Sequence, residues 1–217
     1  MKCTLCETEI NTRFGFNYYD CQNCRALVKD TAFYPDPIKE REHYETHEND
    51  VNDVRYQKFA KPITDFVFQN LTAAKCGLDF GCGNGPVISK VLQDNQYQIA
   101  QYDPYFAPFP VLLEKQYDYI ICCEVIEHFY NPMREFEKLT TMLREGGYLI
   151  CMTLLYKDSI DFGKWFYRRD PTHVIIYRAE TIKYIAATFP LSIEKMTDRL
   201  MVWKKGANQF RLKYLPE

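Results

Sequence analysis

The stretch Gly77-Leu78-Asp79-Phe80-Gly81-Cys82-Gly83-Asn84-Gly85-Pro86 decides how this chain is read. A short apolar strand carries an acid, then three glycines at alternate positions, and runs into the helix-like Val87-Ile88-Ser89-Lys90-Val91-Leu92. Glycine has no Cβ, so this backbone can turn sharply and come close to a ligand. The helix behind it aims free N–H groups at the same spot. The pattern is that of a loop for a small-molecule cofactor. The dinucleotide pattern G-x-G-x-x-G fails, because Pro86 stands where its third glycine belongs. A phosphate-cradling loop would end in Gly-Lys-Ser/Thr, which is absent. An acid two residues before the first glycine suits a ligand with a free ammonium group and no pyrophosphate.

Working outward, Ile99-Ala100-Gln101-Tyr102-Asp103 reads as a second strand ending in a carboxylate, 22 residues after Gly81. An acid at that distance can accept both hydroxyls of a ribose. Tyr117-Asp118-Tyr119-Ile120-Ile121-Cys122-Cys123-Glu124-Val125-Ile126-Glu127-His128-Phe129 and Leu143-Arg144-Glu145-Gly146-Gly147-Tyr148-Leu149-Ile150 follow. The four segments, in this order, resemble class I S-adenosylmethionine-dependent methyltransferases: the glycine loop, the ribose acid, a Y-D-x-I-x-x-x-E-V-I-E-H segment and the L-x-x-G-G-x-L entry into the fifth strand. The resemblance implies an α/β, Rossmann-like sheet with S-adenosylmethionine held by Asp79, Phe80, Gly81, Cys82, Gly83, Gly85, Asp103, Pro104, Tyr105, Cys123, Glu124 and His128. Similar proteins carry a Tyr-x-x-His-x-Asn segment, which here places Tyr44 and His47 over the cofactor.

The chain departs from that pattern at one place. Only 13 residues separate Asp103 from Tyr117, and Pro104, Pro108 and Pro110 are among them. Class I methyltransferases fit a helix and a third strand there, whereas prolines forbid a regular helix across most of this gap. The third strand is expected to be shortened or missing, with Tyr105 or Phe106 covering the adenine instead.

Length and composition suit one α/β domain plus a small module: 217 residues, 47% hydrophobic and 16% aromatic. A net charge of −2 gives no global attraction to nucleic acid or anionic membranes. No apolar run is long enough to span a bilayer, and Met1-Lys2-Cys3 opens no signal peptide, so a cytoplasmic protein without structural disulfides is expected. Among nine cysteines, Cys3-x2-Cys6 and Cys21-x2-Cys24 are separated by 14 residues, close to zinc-ribbon spacing. Two such turns can present four thiolates to one tetrahedral ion across a short hairpin. Cys76, Cys82, Cys122, Cys123 and Cys151 read as small buried apolar residues. The organisation expected is a ribbon over 1–30, a linker and cofactor lid over 31–50, and the methyltransferase domain over 51–217. The whole chain resembles bacterial methyltransferases that join a zinc ribbon to a class I domain. Its similarity to ubiquinone-pathway O-methyltransferases covers mainly residues 75–155.

Helical spacing of Tyr56, Phe59, Ile63, Phe66 and Val67 predicts a helix between Val51 and Leu71. Another is expected near Ala179–Thr188, followed by strands Leu191–Met196 and Leu200–Lys204 that form an antiparallel sheet edge. The run from Phe162 to Val174 is aromatic and basic in a place where plain loops are polar, and reads as a lid facing the substrate, weighed against simple packing over the core. Residues 38–50, with His43 and His47, read as a solvated charged segment more readily than as a metal site.

Methyl transfer from a sulfonium is an in-line displacement, so positioning carries much of it, and a hydroxyl acceptor must also lose a proton. Glu124, His128 and His173 are the candidate catalytic residues. A helix beginning at Glu124 would place Glu124, Glu127 and His128 on one face. Glu127 reads as a charge at that helix start. The two glutamates with His128 and His173 resemble the magnesium ligands of small-RNA 3′-end methyltransferases; the reading taken is metal-free, with His128 or His173 as base. A small-molecule O- or N-acceptor is the leading substrate class. RNA bound through the ribbon, or a non-catalytic cofactor binder with a docking ribbon, are the alternatives.

Overall fold

The computed structural model describes residues 1–46 and 49–206. A parallel sheet grows from the glycine-loop strand outward. β3 (Cys76–Phe80) pairs in parallel with β4 (Gln98–Tyr102) on one side and β5 (Tyr117–Cys123) on the other. β6 (Leu143–Met152) continues the parallel set, and β9 (Leu200–Lys205) then β8 (Leu191–Met196) close the edge antiparallel. The order is β4-β3-β5-β6-β9-β8.

Both faces are covered, as a parallel sheet requires. α2 (Val54–Asn70) and α3 (Val87–Asp94) lie on one face, where Ile63, Val67, Ile88 and Leu92 pack on Tyr119, Ile121 and Ile150. α4 (Pro132–Met142) and α5 (Ala179–Thr188) cover the other through Phe136, Leu139, Ile182 and Ile185. Local chemistry sets the helix starts: Asp53 caps α2, and Asn131 caps α4 with Pro132 in its first turn.

Among the described residues the third strand is absent, as the prolines led one to expect. After β4 the chain makes a tight turn bridging Asp103 and Ala107, then a short 3-10 segment, Pro110–Glu114, leaving β4 at the sheet edge.

The N-terminal hairpin, β1 (Tyr18–Asp20) and β2 (Leu27–Lys29), does not stand apart from the domain. A two-residue strand from far along the chain, β7 (Ile175–Ile176), pairs antiparallel with β2 and completes its sheet. Cys3, Leu5, Ile10 and Ala26 belong to the same core as α4 and α5. Arg178, buried at the start of α5, donates to Asp20 Oδ1 and to the Arg25 carbonyl, both at 2.8 Å. A hairpin this small has little core of its own, and it shares the domain's.

Candidate active site

The carboxyl ends of β3, β4 and β5 open on a cavity of about 980 Å³, where open α/β sheets bind ligands. Its floor is the glycine loop. Gly83 has φ +65°, and a Cβ there would project into open space, so the bare backbone leaves a cradle for a ligand. Gly85 serves differently: a Cβ on it would lie 2.1 Å from the Asn49 carbonyl oxygen, and the residue packs under the preceding segment outside the cavity wall. Asp79 lies buried beneath the loop and accepts from Ser89 Oγ at 2.7 Å. Burial raises its carboxyl to about 6, despite that hydrogen bond. Asp103 accepts from the Gly83 N–H at 3.0 Å through one oxygen and from the Tyr105 and Phe106 N–H groups through the other. It therefore organises the loop as well as facing the cavity.

Of the residues expected around the cofactor, Asp79, Phe80, Gly81, Cys82, Gly83, Asp103, Pro104, Tyr105, Cys123, Glu124, His128 and Tyr44 all line this cavity. Gly85 does not, and His47 lies outside the described residues. Cys82, Cys122 and Cys151 are buried as expected, but Cys76 and Cys123 are only partly so.

Within the segment expected as linker and lid, the described residues form α1 (Pro37–Glu45), capped by Asp36. The sequence reading missed Glu40, the residue that fastens it. Glu40 accepts hydroxyl hydrogen bonds from Tyr44 at 3.0 Å, Tyr105 at 3.1 Å and Tyr130 at 3.3 Å, joining α1, the post-β4 turn and the post-β5 loop. Tyr44 stands edge-on to His128, ring centres 5.5 Å apart. His43 is no solvated charge: its Nε2 lies 3.1 Å from Asp170 Oδ2, and both residues line the cavity.

The expected helix at Glu124 is replaced by something tighter. β5 ends at Cys123, Glu124 adopts φ +52°, and a 3-10 turn, Ile126–His128, follows. A left-handed conformation in a residue with a Cβ is strained, and such strain collects at functional sites. The turn directs Glu124 to the cavity and buries Glu127 completely, so Glu127 does not act as a surface charge at a helix start. The Tyr167 hydroxyl lies between them, against Glu127 Oε1, 3.3 Å from Glu124 Oε2 and 2.6 Å from Thr153 Oγ1. Glu124 Oε1 and Glu127 Oε2 have no hydrogen-bond partner among the described residues. Burial pushes Glu124 up to about 7 and Glu127 well above the carboxylate range.

His128 and His173 meet with ring centres 4.9 Å apart. His128 Nδ1 lies 3.1 Å from the Thr172 carbonyl, and His173 Nδ1 lies 2.7 Å from that of Tyr167. A carbonyl only accepts, so each Nδ1 carries the hydrogen and each Nε2 a lone pair. Burial, with His173 beside it, pulls His128 down to about 3, and burial pulls His173 down to about 4. One donor atom each from Glu127, His128 and His173 lies within 4.8 Å of the others.

The Phe162–Val174 run divides between the two roles weighed for it. Phe162 and Trp165 pack with Phe14, Tyr18 and Tyr156 in a small aromatic core. Phe166, Arg169, Asp170 and His173 line the cavity.

The four N-terminal cysteines converge. Cys3 and Cys24 Sγ are 3.6 Å apart, Cys6 and Cys21 Sγ are 3.4 Å apart, and all four lie within 4.8 Å of one another. Thiolates on one tetrahedral zinc stand about 3.8 Å apart, given Zn–S near 2.3 Å. Each C-x2-C turn is followed by a residue with positive φ, Glu7 at 59° and Arg25 at 62°, so the two knuckles repeat one geometry.

A methyltransferase-domain family model matches residues 53–195. A tRNA U34 carboxymethyltransferase of Campylobacter jejuni is 26% identical over 130 residues, covering 49% of this chain and 45% of that protein. The chain thus spans about half the length of the curated relatives it matches. The 1,6-didemethyltoxoflavin-N1-methyltransferase of Burkholderia thailandensis, solved with its substrate and S-adenosylhomocysteine, superposes with a TM-score of 0.59 at 10% identity, covering 88% of this chain and 100% of that one. The N-methyltransferase NodS of Bradyrhizobium japonicum, solved with S-adenosylhomocysteine, gives 0.51 at 15% identity over 78% and 98%. At these identities the superpositions speak to fold. The family match spans two thirds of the sequence and the glycine loop, β5 and the histidine pair all fall inside it: the chain belongs to the methyltransferase-domain family.

Proposed function

We propose that this methyltransferase moves the methyl group of S-adenosylmethionine to an oxygen or nitrogen of a small molecule. The observation that carries the reading is one continuous cavity reaching from the glycine cradle to the His128–His173 pair. The cofactor would supply an electrophilic methyl on a positively charged sulfur. The chain offers it the open space at Gly83, the carboxylates of Asp79 and Asp103, and the unpartnered Glu124 Oε1, which suits a cationic ligand. Tyr44 and Tyr105 close over it from the lid side. The histidine pair deals with the acceptor's proton through its Nε2 lone pairs, and Glu124 holds the charge on the cofactor side. The cysteine cluster holds one structural zinc.

Two observations bear on the alternatives. The Campylobacter relatives act on tRNA by name, but two of the four cations in the ribbon here are committed internally, Lys29 by burial and Arg25 by its bond to Gln22, which leaves Lys2 and Arg13 exposed. Separately, the convergent donor atoms of Glu127, His128 and His173 also suit a divalent cation, which would displace the Glu127 proton and lower the pKa of a bound hydroxyl. That reading requires Mg²⁺ or Mn²⁺ to restore activity after loosely bound metal is removed.

The test incubates the protein with methyl-labelled S-adenosylmethionine and, separately, a protein-free small-molecule extract and total RNA. Label in the small-molecule fraction is expected. Label in RNA alone overturns the acceptor class, and failure of S-adenosylhomocysteine to bind overturns the cofactor. Elemental analysis is expected to find one zinc per chain.

A further inference from the structure

The five residues Asp170–Val174 carry Asp170 and His173 into the cavity, yet they belong to no helix or strand. Their backbone is held by donors from elsewhere, one carbonyl after another. Lys29 Nζ donates to the Asp170 oxygen at 3.3 Å and the Pro171 oxygen at 2.7 Å. His128 Nδ1 donates to the Thr172 oxygen at 3.1 Å. The Tyr18 hydroxyl donates to the His173 oxygen at 2.7 Å, and the Lys29 N–H to the Val174 oxygen at 2.8 Å. Apart from His128, the donors come from two residues, Tyr18 and Lys29, which stand opposite one another in the β1–β2 hairpin.

Lys29 is the unusual member. It is 4% exposed, and its ammonium faces two carbonyls and the Tyr18 ring, with no carboxylate oxygen within ion-pair distance among the described residues. Burial pulls its pKa down to about 8. An ammonium placed so is costly, and an apolar side chain of the same length would fill the space without that penalty. What the apolar side chain would not do is hold the Asp170 and Pro171 carbonyls in place.

We propose that Lys29 is a positioning residue for methyl transfer, which sets His173 and Asp170 on the acceptor side by clamping the backbone between them to the cysteine hairpin. The cysteine hairpin then braces the active site from behind, through the Asp170–Val174 segment, and is not an appendage beside it. The inference rests on the methyl-transfer reading of the cavity.

The experiment uses the full chain with Lys29→Met and Lys29→Arg. Ring-labelled histidine NMR reports His173 directly, its signal assigned by its loss in His173→Ala. In Lys29→Met the His173 ring signal should shift or broaden, while S-adenosylhomocysteine affinity, read by calorimetry, stays within about twofold. Turnover on the labelled fraction should fall roughly 10- to 100-fold with the cofactor KM unchanged, as a misplacement of about 1 Å at a reacting group can produce. Lys29→Arg, which keeps a donor, should recover much of the loss. An unchanged His173 signal and turnover in folded Lys29→Met overturns the proposal, as does a matching loss of cofactor affinity, which would mark a general scaffold role. Should Lys29→Met not fold, Tyr18→Phe decides: it removes only the hydroxyl on the His173 carbonyl, and the His173 signal must move. If the wild type binds no S-adenosylhomocysteine, the functional reading falls, while the NMR comparison still judges the clamp.

Discussion

The cavity has two walls of different origin. On the wall proposed to hold the cofactor, here the cofactor wall, hydrogen bonds join residues near in sequence: Ser89 to Asp79 across 10 positions, Gly83 to Asp103 across 20, Tyr105 to Asp103 across 2. On the wall proposed to face the acceptor, here the acceptor wall, they join distant ones: Tyr18 to His173 across 155, Lys29 to Asp170 across 141, His43 to Asp170 across 127. The first wall is a property of two adjacent strand–turn units. The second exists only once the N-terminal hairpin, the lid helix and the segment before α5 have come together. Damage to one wall should therefore leave the other standing.

The sharpest break is expected at Gly83. Gly83→Val puts a β-branched side chain into the cradle at a φ such residues avoid, and should abolish S-adenosylhomocysteine binding in calorimetry while the histidine ring signals of the free protein stay in place. Histidine signals that collapse together with binding would show that the walls fold as one unit.

The converse break comes from His128→Ala and His173→Ala. Each is expected to reduce turnover by about 10²–10⁴ with S-adenosylhomocysteine affinity unchanged. Loss of cofactor affinity in both would move the pair to the cofactor wall.

Asp79 probes the cofactor wall by pH. Its carboxyl titrates near 6 when folded, raised by burial from an ordinary value of 3.8. A raised folded pKa means stability is full below the unfolded value and is lost as pH rises through the folded one. Wild type should lose up to about 3 kcal/mol as pH rises from about 3 to about 7, most of it between the unfolded and folded values, relative to Asp79→Asn. Urea unfolding at a series of pH values checks this, and parallel pH curves for the two proteins would contradict it.

The smallest expected effect is at Asp103. Asp103→Ala should weaken S-adenosylmethionine binding by about 1.5–3 kcal/mol, through the lost acceptor and the freed Gly83 N–H. Unchanged affinity would remove Asp103 from the cofactor wall.

How far each wall was legible follows from the same distances. The glycine loop, the acids at the ends of β3 and β4, and the missing third strand are read from short windows, because glycine, proline and strand periodicity act within a few residues. The four-cysteine cluster is legible for a similar reason, since two identical knuckles signal each other at any separation. Glu40 was invisible: among the charges of residues 38–50 nothing marks the one that three tyrosines will surround. The turn at Glu124 was misread because a 3-10 turn and a helix start share their first residues, and tertiary packing chose between them. His43 looked solvated until Asp170 arrived beside it from the other end of the chain.

By itself, then, the sequence determined the sheet, the glycine loop and the four-cysteine cluster, whose causes are local: backbone freedom, periodicity and repeated spacing. Only the tertiary structure decided which buried carboxylate oxygens lack partners, which imidazole nitrogens carry lone pairs, and that the cysteine hairpin grips the His173 segment. Those properties belong to neighbours brought together across the fold, and burial gives them their energy. A buried lysine or histidine is written in the same letter as an exposed one, and it is the surroundings that settle its proton and its partner.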